Sequence, residues 1–168
     1  MRDIFCAILM LCPLIASAKP MLINDHIKAI NPAGKASLHK FLFHVYDAEF
    51  WSDTPGWSMD TPYALDLKYF VSIDKDDFLS RTIKELRRNP EVTDAMLEEY
   101  ERKLGYIYPD VEKGDTITAL YVPNEGLVFS HNNNTLGWIR DVKLVKPFMG
   151  IWLGKHTSEP SLRDALLK

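Results

Sequence analysis

Apolar positions recur along this chain in two periods, and the switches between them mark its elements. Residues 35–51, KASLHKFLFHVYDAEFW, contain neither Gly nor Pro and are dense in aromatic and β-branched side chains. Leu38, Leu42, Tyr46, Ala48 and Phe50 share one parity, while Phe41, Phe43 and Val45 supply apolar groups on the other. That pattern predicts a long strand, or a hairpin, whose middle is covered on both faces. SDTPGWSMDTP is turn material with Pro55-Gly56 as its strongest signal. Strict alternation then returns in residues 63–71, where Tyr63, Leu65, Leu67 and Tyr69 share a face of a second strand.

From Asp74 the period changes to that of a helix. Phe78, Leu79, Thr82, Ile83 and Leu86 form one stripe, with Asp74, Asp76 and Asp77 at the N-terminal end and Lys84, Arg87 and Arg88 toward the C-terminal end. This charge order complements the helix dipole, and Asn89-Pro90 ends the element. A second helix is predicted from Thr93, a good N-cap, through Met96, Leu97, Tyr100 and Leu104 to Gly105. Strands follow in GDTITALYV, GLVFSHN and LGWIRD, separated by Pro-Asn-Glu-Gly and an Asn-rich turn. KLVKPFMGIWLG and a short helix after Ser158, with Pro160 in its first turn, close the chain. Segregated runs of strands and helices argue for an α+β fold, with helices laid on one face of an antiparallel sheet.

The N-terminus belongs to neither period. A polar head with Arg2, an apolar run from Ile4 to Ile15, and small residues at Ala16, Ser17 and Ala18 follow one another. This order reads as a secretory signal over residues 1–18, cleaved after Ala18. The run is too short to cross a bilayer, which takes roughly 20 apolar residues. Residues 19–168 then form one domain without a transmembrane anchor. Both cysteines, Cys6 and Cys12, lie in the segment to be removed. The domain that remains has no thiol chemistry, which suits an oxidising compartment. Its formal charge stays at -3, since Arg2 and Asp3 leave together. A mildly acidic chain lacks the electrostatic footprint of a nucleic-acid binder.

Motifs for chemistry are sparse. His26, His39, His44, His131 and His156 show no metal-ligand spacing. No G-x-S-x-G turn presents a nucleophile. Thr157-Ser158-Glu159-Pro160 reads as a helix cap, and Gly114-Asp115 as a turn before a strand. The carboxylate pairs Asp47/Glu49 and Asp76/Asp77 fit one strand face and a helix N-terminus. No catalytic residue, metal site or cofactor is therefore assigned.

FHVYDAEFW, the central helical pair, YPDVEKGDTITALYVPNEGLVF and FMGIWLGKHTSEPSLRDALL together resemble the bacterial chalcone isomerase-like proteins, over nearly all of residues 30–167. The resemblance implies an open-faced β-sandwich, a curved antiparallel sheet with helices packed on its face. With the signal sequence, it also implies an exported, periplasmic domain. The plant isomerases of this superfamily use an arginine before the first long strand, a threonine on that strand, and a tyrosine and an asparagine on the following helix. Carried over by resemblance, the arginine position falls near Ala33, beside Gly34 and Lys35, and the threonine at Val45. The tyrosine falls near Phe78 and the asparagine near Glu85. Every one of those hydroxyl, amide or guanidinium groups is missing, and with them the main electrostatic stabilisation of an enolate.

Within that fold, Tyr46, Tyr69, Phe78, Trp138, Phe148 and Trp152 are expected at the sheet–helix interface, either as plain core or as the lining of an apolar cleft. His44 is placed on the face bearing Tyr46, and Arg81 is either the anchor of a ligand carboxylate or a solvated helix charge. The leading expectation is a non-catalytic domain holding a small amphipathic ligand such as a fatty acid between sheet and helices. The alternatives are an intramolecular lyase or isomerase built on Tyr46, His44 and Arg81, and a partner of envelope proteins using exposed Trp51 and Trp57.

Overall fold

The computed structural model describes residues 19–168, so the proposed signal sequence and both cysteines lie outside the described residues. Six antiparallel strands follow one another in space as they do in sequence. These are β1 (Gly34–Lys40), β2 (Phe43–Ser52), β3 (Tyr63–Tyr69), β4 (Thr116–Val122), β5 (Gly126–His131) and β6 (Asn134–Ile139). Before them comes a short helix, α1 (Met21–Asn24). Between β3 and β4 run α2 (Lys75–Leu86) and α3 (Asp94–Ile107), and after β6 come α4 (Val142–Leu153) and α5 (Pro160–Leu166). The α+β order, with α2–α5 on one face of an open antiparallel sheet, is the fold that the two periods predict. No helix among the described residues is long and apolar enough to cross a membrane.

Alternation puts Tyr46, Ala48, Phe50, Tyr63, Leu65, Leu67, Tyr69, Ile117, Ala119, Tyr121, Leu127 and Phe129 on the helix-facing side, where they form one core with the apolar stripes of α2–α5. Thr93 caps α3 by accepting from the Met96 amide at 3.3 Å, an interaction worth about 1 kcal/mol. The predicted stop at Gly105 comes early, because Tyr106 and Ile107 continue α3. The opposite face is not bare. Ile23 and Ile27 from the N-terminal segment close over Trp51, Ala64, Leu120, Val122 and Val128.

Residues 35–51 form a hairpin, which resolves the two readings of that run. Its two-residue connection is Phe41–Leu42, with Phe41 at φ 55, a left-handed conformation that costs a residue with a Cβ about 1–2 kcal/mol. The parity read through the run therefore breaks at the tip, where Phe41, Leu42 and Phe43 are exposed to solvent rather than covered. It breaks again beside the tip, because the ladder slips between Leu38/His39 and Tyr46/His44, leaving Val45 as the extra residue of a bulge.

Trp51 is buried and Trp57 half-buried against the main core. The exposed aromatic pair expected of an interaction surface is thus absent, since β2 carries Trp51 under the N-terminal segment.

Candidate functional site: an aromatic cleft between sheet and helices

Where the bulged end of the β1–β2 hairpin meets α2, α4 and the approach to α5, the two layers part around a cleft of about 520 Å³. Ligand sites commonly measure about 300–1,000 Å³. The sheet contributes Leu38, Val45, Tyr46 and Tyr69, α2 contributes Phe78, and α4 and α5 contribute Ile151, Trp152 and Leu162. The bulge matters here. Without it Val45 would point away from Tyr46, and with it both side chains enter the cleft.

The aromatic wall is braced from behind. Tyr46 meets Tyr69 edge-on with ring centroids 5.6 Å apart, Tyr69 meets Phe78 edge-on at 5.9 Å, and Phe78 stacks on Tyr108 at 4.2 Å. Thr82 donates to the Phe78 carbonyl at 3.0 Å and lies 3.2 Å from the Tyr108 hydroxyl. Trp152 Nε1 donates to the Tyr46 hydroxyl at 3.1 Å. Burial pushes the Tyr46 hydroxyl up to about 12, with Glu159 and Glu85 adding to the rise and the Trp152 bond and Arg81 opposing it. Burial also pushes Tyr69 well up. A phenol so far above neutrality holds its proton, whereas an acid–base catalyst works best with a pKa near the ambient pH.

Most of the charge around the cleft sits on exposed or part-exposed side chains at its rim. Lys40 pairs with Glu159, and Arg81 Nε lies 3.5 Å from Glu85 Oε1. Lys84 and Asp77 complete the rim, giving three cations and three carboxylates. Arg81 is half-exposed, whereas the Glu85 carboxylate is largely buried and its Oε2 has no hydrogen-bond partner.

Of the residues expected to line such a site, Tyr46, Tyr69, Phe78, Arg81 and Trp152 meet at this cleft. Three others are corrected. His44 sits beyond the bulge, which turns it to the opposite face, where it stacks between His39 (4.5 Å) and Phe70 (3.9 Å) and bonds Asp47 Oδ1 at 2.8 Å. Trp138 is on the other face of the sheet, against the second core, with Arg140 4.4 Å from its ring centroid. Phe148 is sealed in the main core between Phe129 and Trp152. His44, Tyr46 and Arg81 therefore do not converge, and the isomerase built on that trio has no site.

Sequence reasoning missed Leu38, Val45, Ile151 and Leu162 as lining residues, because ordinary aliphatic side chains carry no signal of a cavity. Val45, Phe78 and Glu85, the positions to which resemblance carries the plant enzymes' threonine, tyrosine and asparagine, all line the cleft. At the start of β1, where the arginine would fall, a Cβ on Gly34 would lie 2.1 Å from the Leu166 carbonyl oxygen. The end of α5 covers that point.

Comparison with known proteins fits this geometry. Among solved structures, the fold is similar to that of a fatty-acid binding protein from Arabidopsis thaliana, with a TM-score of 0.58 at 14% identity. The match covers 81% of this chain and 85% of that one. No curated protein matches by sequence. The chalcone isomerase-like family matches residues 31–168, all six strands and α2–α5 included; the chain belongs to the chalcone isomerase-like family.

Proposed function

We propose that this chain is a non-catalytic binding protein that holds the hydrocarbon chain of a fatty acid, or of a similar single-chain amphiphile, in the cleft between sheet and helices. The observation that carries the reading is the make-up of the cleft: its walls are largely aliphatic and aromatic, and of its charged side chains only Glu85 is largely buried. Each methylene transferred from water to such walls contributes about 0.8 kcal/mol. Lys84 is the one rim cation with no carboxylate within ion-pairing distance among the described residues, so it is the natural partner of a ligand head group. The Arabidopsis thaliana fatty-acid binding protein shares the fold and supports the same class of ligand.

We further propose that residues 1–18 export the domain, on the order of charge, apolar run and small residues at that end, and that it works in a periplasm. Native mass spectrometry of protein recovered from its own cell tests the binding role. The expected spectrum carries the added mass of one acyl chain. Repeated recovery of empty protein, together with no heat of fatty-acid binding in calorimetry, would sink it.

A further inference from the structure

We propose that the tip of the β1–β2 hairpin, Phe41-Leu42-Phe43, is a membrane wedge that docks the cleft on a lipid surface and lets the ligand pass between the two. This deepens the binding role above and rests on it for the identity of the cargo, although the docking itself is tested separately. The three side chains are 100%, 98% and 68% exposed and adjacent in sequence. Among the described residues, the other strongly exposed apolar ones, Met21, Ile30 and Tyr106, stand singly in the sequence, and single ones are ordinary. Phe41 also takes a positive φ, a position at which glycine or asparagine would be at ease and a large aromatic is not. The chain thus holds an aromatic out in water on a strained turn.

The wedge has a rigid base. Lys40 pairs with Phe43 across the ladder, and the His39–His44–Phe70 stack braces the strands just behind. The same hairpin supplies Leu38, Lys40, Val45 and Tyr46 to the cleft. Lys40, which lines the cleft, directly precedes Phe41 at the tip, so whatever takes up the tip stands at the cleft's mouth. Shape and size select a bilayer as that occupant. The tip is a convex point of three side chains, whereas a stable protein partner or second copy buries about 800 Å² on each side. A fluid bilayer deforms around such a point, and aromatic side chains favour its interface. Lys84 on the rim adds attraction for anionic lipid.

The test places a polarity-sensitive fluorophore at the tip by Leu42→Cys, with Cys6→Ser and Cys12→Ser so that it carries the only thiol. Vesicles of mixed phosphatidylcholine and phosphatidylglycerol are then added to the labelled full chain. The Phe41→Ser/Phe43→Ser variant keeps residues 1–18, so it separates docking by the tip from any lipid binding by that segment. The expected result is a blue shift with at least about a twofold rise in emission. A label on the exposed face of α3, at Glu101→Cys, should show no change, and Phe41→Ser with Phe43→Ser should abolish the response at the tip. No shift at Leu42→Cys, or an equal shift at both labels, would overturn the proposal. A shift that grows with protein concentration before any lipid is added would overturn it in favour of contact between copies. Calorimetry of fatty acid with the Phe41→Ser/Phe43→Ser protein separates the two proposals. Retained binding in solution with lost vesicle response is the expected pair, while absent binding in every form condemns the cargo and leaves docking standing on its own response.

Discussion

The indole nitrogen of Trp152 and the hydroxyl of Tyr46 lie 3.1 Å apart across the floor of the cleft, tying α4 to β2 from 106 residues away in the chain. Both groups are buried, so each depends on the other. Tyr46→Phe strands the indole N–H and Trp152→Phe strands the hydroxyl, and either loss should cost about 1–3 kcal/mol. The double variant should cost about 1 kcal/mol less than the sum of the two. Denaturant unfolding of the four proteins measures that coupling, and strict additivity would show that the bond holds nothing together.

A second buried polar group predicts a pH dependence. On the sheet face away from the cleft, Asp66 accepts from Thr118 at 2.6 Å beside Glu49, its cross-strand neighbour. Burial lifts its carboxyl from 3.8 to about 6, helped by the Glu49 charge and opposed by the Thr118 bond. Between those values the folded chain keeps a proton that the unfolded chain releases. The stability this contributes, about 3 kcal/mol, is fully present below about pH 4 and is lost as pH rises through about 6. Asp53 and Asp115, whose carboxyls are held below 3.8 by hydrogen bonds, act in the opposite sense and only at lower pH. Asp66→Asn should therefore flatten the stability profile between pH 4 and 7, as read by thermal melting. An unchanged slope would remove Asp66 from the account.

The contact of Gly34 with α5 predicts a localised failure. A Cβ there would meet the backbone of Leu166, which has no flexible end to move aside. Gly34→Ala should cost about 3 kcal/mol and release α5 from β1. Hydrogen exchange should show the loss concentrated in Pro160–Leu166, while the β3–β5 amides stay protected.

Much of this architecture is legible in the residues, and the departures have local causes. Alternation along β2 and β3 is enough to put Tyr46 and Tyr69 at the sheet–helix layer, and the helical period of α2 does the same for Phe78. It fails at His44, because one extra residue at Val45 reverses the side-chain direction from there to the tip. It fails for Trp138 because the second sheet face is also covered, by Ile23 and Ile27. Their i, i+4 spacing was the available sign that residues 19–29 pack on something. The exposed tip was concealed by its own composition, since Phe-Leu-Phe in the middle of a hairpin looks like core.

At the rim, Lys84→Gln should weaken binding of a carboxylate ligand about threefold and make affinity less sensitive to salt, because an exposed charge acts weakly and is screened. Titrations at low and high ionic strength check both effects. An unaltered salt response would assign the head group to another part of the rim.

The central claim is that the cleft between sheet and helices is the binding site, and filling it tests that claim most directly. Calorimetric titration of palmitate should give saturable binding of one molecule per chain to the unaltered protein. Leu38→Trp, which places a ring in the cleft from β1, should weaken that binding at least about tenfold while the melting curve stays cooperative. Palmitate binding that is absent from the unaltered protein, or undiminished in a folded Leu38→Trp protein, would contradict the account.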